Sequence, residues 1–297
     1  MERLSEVTTI RRHCPTVPRN PLQGAVDKAR RFQTLHREGD ILVVCNAWDG
    51  ASARVFEHAG AQAVGTGSAG VAFSHGYADG EIMPREKVLA AIGEIVGAVD
   101  VPVTADIVTG YGDTIDAVVD MVRSVIALGA VGVNIEDSDA LGEARLADAS
   151  LQTEKIRAVC EAVRKSGVPI VVNARTDSYW LKLGSEADRL SESIARANCY
   201  REAGADCLFV PSVVDARTIK TLVGEIAGPL NVLAVAGCPP IAQLQQLGVR
   251  RVSQGSGPMR ATMMLTRRIA QDLLSSGTYA RFHDDAIPYA EANRLFE

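Results

Sequence analysis

The sequence predicts an α/β protein, a (β/α)8 TIM barrel with one additional N-terminal helix. Short apolar runs alternate with amphipathic segments about eight times, as expected for parallel strands that are buried on both faces. A helix-stop phrase, Ala-Gly-Ala or Leu-Gly-Ala, recurs before predicted strands at 59–61, 128–130 and 203–205. No change of composition marks a linker, so we interpret 21–297 as one barrel domain with C-terminal helices, preceded by a flexible arm over 1–20.

The elements follow in chain order. Pro15, Pro18 and Pro21 oppose a helix in the arm. Helices are predicted over 22–37, 51–59, 85–99, 114–128, 153–165, 186–203, 215–227, 241–247 and 258–275. Strands are predicted over 41–45, 63–65, 101–106, 131–136, 170–174, 207–210, 231–235 and 251–254. The fifth helix is expected to begin at Thr153 as its N-cap and to end at Gly167.

The composition argues against nucleic-acid and membrane partners. The formal net charge is -5, so the chain lacks the basic surface that binds phosphate backbones. No apolar run approaches the ~20 residues of a membrane span, and residues 1–20 lack the apolar core of a signal peptide. The six cysteines show no paired spacing. We therefore expect reduced thiols and a cytoplasmic protein.

Charged side chains stand where three neighbouring strands are predicted to end. Asp106 follows one apolar run and precedes a Gly-rich turn, Glu136 ends the next run, and Arg175 follows the third. The carboxyl ends of barrel strands meet at one rim, which is where the chemistry of such barrels is found. The convergence predicts a divalent metal and an anionic substrate.

A carboxylate at this rim can ligate Mg²⁺, with Mn²⁺ as the alternative ion, because Mg²⁺ uses one or two carboxylates and keeps several waters. We expect Asp106 to be the ligand, with Glu136 and Asp79 holding its waters. The alternative interpretation is structural, with Asp106 capping a helix and Glu136 paired with Arg175.

An anion site is predicted beside the metal. The small residues of 65–70 allow backbone N–H groups to converge on a carboxylate. Trp48 follows the first strand and is a candidate wall of the pocket. Arg175 can bind a carboxylate with two hydrogen bonds; its alternative role is a salt bridge to Glu136 or Asp137.

Seven segments stand out between about residue 46 and residue 277, namely Asn46–Ala53, Thr66–Ala69, Ala105–Asp106, Thr109–Gly112, Asn134–Ser138, Asn173–Asp177 and Ala203–Asp206. Together they resemble one family, the isocitrate lyase/phosphoenolpyruvate mutase superfamily. The resemblance implies a Mg²⁺-dependent barrel that forms or breaks a C–C or P–C bond beside a pyruvate-type enolate. It also implies tetramers that exchange the last barrel helix between subunits.

The resemblance assigns roles to residues that all lie at the predicted rim. They are Asp106 as the direct metal ligand, Glu136 and Asp79 as holders of metal-bound water, Gly67, Ser68 and Ala69 as the backbone cradle for the substrate carboxylate, and Arg175 as the cation that stabilises the enolate.

The chain departs from the family pattern at three places. Val108 stands where the family usually has a second acid. The stretch 138–146 lacks the Lys-Lys-Cys-Gly-His loop of the lyases, and strand six ends at 210–212 without the histidine of the mutases. The proton donor is therefore left to water, Glu143 or Tyr111.

The sequence thus favours a Mg²⁺-dependent C–C lyase or decarboxylase for a small 2-oxo or 2-hydroxy di-acid, with Arg175 and Glu136 catalytic. One alternative is P–C chemistry of the phosphoenolpyruvate mutase or phosphonopyruvate hydrolase type. Another is a non-catalytic protein that binds a 2-oxo acid. A homo-oligomer is expected, either a tetramer or a dimer with a swapped C-terminal helix.

Overall fold

Eight parallel strands close into a barrel, as the alternating pattern predicts. The computed structural model describes residues 21–138, 145–284 and 286–297; the predicted arm over 1–20 lies outside these residues. Each strand pairs with its neighbours in chain order, and β8 closes on β1. The strands are β1 Leu42–Ala47, β2 Val64–Thr66, β3 Val103–Asp106, β4 Gly132–Glu136, β5 Val171–Arg175, β6 Cys207–Val210, β7 Leu230–Leu233 and β8 Arg251–Ser253.

Helices surround the barrel and one precedes it. They are α1 Pro21–Arg37, α2 Gly50–His58, α3 Ser68–Ser74, α4 Arg85–Ala98, α5 Ile115–Ala127, α6 Ala149–Ser166, α7 Glu186–Glu202, α8 Ala216–Glu225, α9 Ile241–Leu247, α10 Gly257–Gln271, α11 Arg281–Asp284 and α12 Tyr289–Arg294. A short π-helix, Asp272–Ser276, follows α10. Within the described residues no helix is long and apolar enough to cross a membrane.

One predicted helix start was wrong, and one helix between the strands was not predicted. The helix α6 begins at Ala149 because the Asp148 side chain accepts the N–H groups of Ser150 and Leu151; Thr153 lies one turn inside, where its hydroxyl donates to the Ala149 carbonyl. The helix α3 was missed, because Ser68–Ser74 is rich in small residues and has little of the apolar periodicity that marks a helix.

The strands have an apolar outer face and a partly polar inner one. Outward residues such as Val133 and Ile135 pack fully buried against the helices. Inward residues include Asn173 and Asn231, which hydrogen-bond to Asn134 and to Ser253 inside the barrel. This alternation follows from the two-residue period of a strand.

The helix α1 covers the amino-terminal end of the barrel. Its Phe32 is fully buried and approaches β4 at Gly132, where an added Cβ would lie 2.8 Å from the Phe32 ring and 2.7 Å from the Thr104 hydroxyl. Only glycine fits there. The opposite end, where the strands finish, is left for the loops and the site.

Candidate active site

A cavity of about 370 Å³ opens where the strands end. Asp106, Glu136 and Arg175 are the last residues of β3, β4 and β5 and line it together. The structure therefore brings together most of the predicted site residues, which are Gly67, Ser68, Ala69, Asp79, Asp106, Glu136 and Arg175.

Trp48 is not among the residues that line this cavity, which corrects the sequence prediction. Its ring packs edge-on against Phe56 of α2, with the ring centroids 6.3 Å apart. The aromatic wall comes from Trp180 and Phe209, which line the cavity and lie 5.4 Å and 5.6 Å from the Arg175 guanidinium carbon. A residue that directly follows a strand can still turn toward the helix layer, as Trp48 does.

Asp106 is held by neutral donors. Its Oδ2 accepts the Ser68 N–H at 3.1 Å, and its Oδ1 accepts the Asn134 amide at 3.0 Å. Asn134 in turn accepts the Asn173 amide at 2.9 Å. These amides fix the direction of the carboxylate, and no ion pair to Asp106 occurs within the described ranges.

Arg175 is held rigidly by two carboxylates. Its Nη1 lies 2.7 Å from Glu136 Oε2, while its Nε and Nη2 donate to the two oxygens of Asp177 at 2.6 and 3.1 Å. Asp177 is fully buried. The predicted alternative of a Glu136–Arg175 pair is therefore present, and the guanidinium still faces the cavity.

Glu136 has both oxygens engaged. Oε1 accepts the Ser138 hydroxyl at 2.8 Å, and Oε2 faces Arg175. Burial raises the pKa of Glu136 above its ordinary value, and the Arg175 charge opposes that rise. Glu136 is thus placed to orient Arg175, and its role toward metal-bound water stays a prediction.

Two backbone N–H groups of the predicted carboxylate cradle already donate hydrogen bonds within the protein. The Gly67 N–H donates to the Ala47 carbonyl at 3.2 Å, and the Ser68 N–H donates to Asp106. A substrate carboxylate in the cradle would therefore have to bind the Ser68 hydroxyl and the Ala69 N–H. That these two groups bind the carboxylate stays a prediction.

The residues fit a single magnesium ion bound mainly through Asp106. No group of three or more His, Cys, Asp or Glu side chains converges on one point in the part of the chain that is described. Mg²⁺ does not need such a group, since one or two carboxylates and several waters suffice. Burial and the nearby charge of Asp106 raise the pKa of Asp79, and a cation near these two carboxylates would relieve their repulsion.

Glu81 braces the loop that follows Asp106, and sequence reasoning missed it. Its Oε1 accepts the Thr109 N–H at 2.9 Å, the Thr109 hydroxyl at 2.7 Å and the Tyr111 N–H at 2.9 Å. From the other side, Lys155 of α6 donates to the Thr109 carbonyl at 3.2 Å. The Gly-Glu dipeptide at 80–81, directly after Asp79, was the only available signal.

Replacing Glu81 with Ala should loosen this loop. Three donors would lose their acceptor, which we expect to lower the free energy of unfolding by about 1–3 kcal/mol. Glu81→Gln keeps an acceptor oxygen and should change stability little. Faster hydrogen exchange at Thr109 and Tyr111 in Glu81→Ala alone would check this, with the exposed Glu94→Ala as control; unchanged exchange would contradict it.

Val108 occupies a strained backbone position. It has φ 52°, in the left-handed region that β-branched residues avoid. Its side chain is buried and lines the cavity with Asp106, and its carbonyl accepts the Glu136 N–H at 2.8 Å. The family acid that Val108 replaces would therefore also face the cavity.

The variants Val108→Asn and Val108→Asp separate the effect of relieving backbone strain from the effect of adding a charge. Asn tolerates the left-handed region, so Val108→Asn should raise the free energy of unfolding by about 1 kcal/mol. Val108→Asp should in addition raise Mg²⁺ affinity, roughly tenfold, because it adds a charge near the ion. Calorimetric titration checks this; equal Mg²⁺ affinity in both variants would mean that the side chain does not reach the ion.

Tyr111, one of the sequence-predicted proton donors, does not line the main cavity. It lines a small adjoining pocket with Ser68 and Asp106. Burial and then the Glu81 charge raise its pKa above the ordinary value. Glu143 lies outside the described residues.

The chain is similar to known enzymes over most of its length. The profile of the family described as phosphoenolpyruvate phosphomutase matches residues 32–274. An uncharacterized Mycobacterium tuberculosis protein is 37% identical over 260 residues, covering 88% of this chain and 93% of that protein. The 2-methylisocitrate lyase of Halalkalibacterium halodurans is 27% identical, covering 84% of this chain and 83% of the lyase.

A solved structure agrees with these sequence matches. The crystal structure of 2,3-dimethylmalate lyase, a member of the PEP mutase/isocitrate lyase superfamily, superposes with a TM-score of 0.77 at 27% identity, covering 92% of this chain and 94% of that one. The chain therefore belongs to the phosphoenolpyruvate phosphomutase family, and it is an enzyme of the isocitrate lyase/PEP mutase superfamily of lyases and mutases.

Proposed function

We propose that this enzyme is a Mg²⁺-dependent carbon–carbon lyase or decarboxylase, acting on a small 2-oxo or 2-hydroxy di-acid through a pyruvate-type enolate. The observation that carries the proposal is one cavity that holds a rigid guanidinium, Arg175, and a carboxylate, Asp106, that forms no ion pair with any described residue. Its volume of about 370 Å³ is near the lower end for ligand sites, ~300–1,000 Å³, which suits a small acid.

The chemistry assigned to this chain is charge stabilisation. Arg175 would oppose the negative charge that develops on the enolate oxygen. Glu136 and Asp177 hold the guanidinium in place before a substrate arrives, so little reorganisation is needed during reaction. Trp180 and Phe209 shield the guanidinium from water. Mg²⁺, when bound, would supply Lewis acidity toward the substrate oxygens.

A second candidate is binding of a 2-oxo acid without turnover. It is favoured by the cavity lining, whose described residues include no His, Cys, Lys or Tyr side chain to donate a proton. A lyase would then take that proton from water or from a carboxyl group of the lining such as Asp79, whose pKa burial raises. Release of pyruvate separates the two candidates.

We further propose a homo-oligomer, a tetramer or a dimer, in which α10 packs on a second copy. No residue of α10 is buried. Large apolar side chains are exposed along α10 and the segments after it, namely Met263, Met264, Leu265, Leu273, Leu274, Phe282 and Phe296. A helix with this surface is expected to be covered. Light scattering that gives a monomer mass would contradict the proposal.

The decisive test is a panel of 2-oxo, 2-hydroxy and phosphono acids incubated with the enzyme and Mg²⁺. NMR would follow the release of pyruvate and the entry of solvent deuterium at C3. A C–C lyase should release pyruvate from a carboxylic substrate and exchange C3 protons. Turnover of phosphono acids alone would indicate P–C chemistry, and binding of every acid without turnover would support the second candidate.

A further inference from the structure

A buried arginine lies at the floor of the cavity without an ion-pair partner among the described residues. Arg251, the first residue of β8, is 2% exposed and lines the same cavity as Asp106. Among the described residues no carboxylate lies within ion-pair distance of its guanidinium. A buried cation in this state is unfavourable unless something else compensates its charge.

The groups in contact with Arg251 are neutral, and the carboxylate whose charge acts on it, Asp106 at the rim, lies beyond ion-pair distance. Its Nη1 faces His36 Nε2 at 3.4 Å, and His36 Nδ1 donates to the Phe32 carbonyl at 2.8 Å, so Nε2 is the acceptor. Burial and then the Arg251 charge lower the pKa of His36 to about 3. Burial raises the pKa of the Cys207 thiol to about 12. Neither side chain supplies a negative charge near neutral pH.

Polar atoms near this floor also lack partners. The Nε of Arg251 and the hydroxyl of Thr104 make no hydrogen bond to the described protein. Thr104 lines the cavity and borders the ring of Phe32, and the Arg251 guanidinium carbon lies 5.9 Å from that same ring. Buried polar atoms normally have partners, so unpaired donors beside a cation indicate a ligand.

We propose that Arg251, with the hydroxyl of Thr104, forms a binding site for a small anion of halide or carboxylate size in the barrel interior beneath Asp106. The cavity connects this site to the rim, because its lining runs from Arg260 and Trp180 down to Thr104 and Arg251. The anion has two sources, a free halide or the distal carboxylate of a bound di-acid. The second source rests on the proposed function, and the first does not.

Thermal unfolding in increasing chloride or formate tests the site, with ionic strength held constant by the bulkier sulfonate of MES. The melting temperature of the native enzyme should rise by at least about 2 °C at saturating anion. That of Arg251→Met should not rise, and without small anions it should equal or exceed the native value, because a buried charge has been removed.

Two further variants keep the test decisive. Arg251→Lys retains a cation and should retain a weaker anion dependence, even if Arg251→Met fails to fold. Arg250→Met is the matched control, because Arg250 donates to the backbone carbonyls of His36 and Gly39 outside the cavity; it should keep the full anion dependence. An equal rise in the native enzyme and Arg251→Met, or no rise in the native enzyme, overturns the proposal.

Competition then identifies the source of the anion. If a distal carboxylate uses Arg251, chloride should weaken malate binding severalfold and leave oxalate binding unchanged, since oxalate is too short to reach the floor. If chloride stabilises the enzyme but weakens neither acid, the site takes a free anion. If the enzyme binds chloride but binds neither malate nor oxalate, the result would overturn the proposed function and still support this anion site.

Discussion

Asp106→Asn is expected to remove Mg²⁺ binding and, with it, Mg²⁺-dependent binding of oxalate, a planar mimic of the pyruvate enolate. The substitution keeps the size of the side chain and an oxygen that can accept the Ser68 N–H. It removes a rim carboxylate that neutral donors orient and that forms no ion pair with any described residue. We expect a loss of at least about a hundredfold in Mg²⁺ affinity, because the remaining acids are Glu136, which is already paired with Arg175, and Asp79, which lies in a loop.

Calorimetric titration of Mg²⁺ into the apoenzyme, repeated with oxalate, measures this. The matched control is Asp113→Asn, the same chemical change at an exposed position in the loop after β3, which should leave both titrations unchanged. The melting temperature without metal should change little, since Asp79 loses a repulsive neighbour. Native Mg²⁺ affinity in Asp106→Asn would contradict the metal assignment outright.

The fold could be predicted from the sequence because its main signal is local. Each buried parallel strand is a short apolar run, and each helix ends in a recognisable stop, so the order of elements determines the barrel. The errors arose where a side chain makes a contact that the pattern does not encode. Asp148 caps α6 one turn before the predicted start, and small residues conceal α3.

The sequence could predict the site residues that lie at the ends of strands. Asp106, Glu136 and Arg175 share a rim because β3, β4 and β5 are neighbours in register. Glu81 acts on residues 28 to 30 positions away, and Arg251 reaches the cavity from the start of its strand. The contacts of these two side chains depend on how loops fold back and on how far a side chain extends. The spacing of residues in the sequence does not determine either.

Arg175→Lys is expected to weaken oxalate binding by about a hundredfold and also to lower the melting temperature. Lysine keeps the charge but cannot reproduce the planar fork that meets Glu136 at 2.7 Å and both oxygens of Asp177. Loss of part of a buried ion-pair network costs about 3 kcal/mol or less when a cation remains. Loss of a preorganised donor to the enolate carries the larger effect, about 10²–10³-fold on turnover.

Glu136→Gln separates two possible roles of Arg175, binding the substrate and stabilising the fold. It breaks the same ion pair from the other side and leaves the Arg175 guanidinium held by Asp177. If Arg175 binds the substrate, Glu136→Gln should lower the melting temperature to a similar extent while oxalate binding falls far less than in Arg175→Lys. The double variant completes the cycle, because stability losses of the two single changes should not add if they report one shared contact. The contradicting result would be an equal loss of oxalate affinity in both single variants, in proportion to their losses of stability. Arg175 would then be a structural cation. Binding without turnover would become the better account of the cavity.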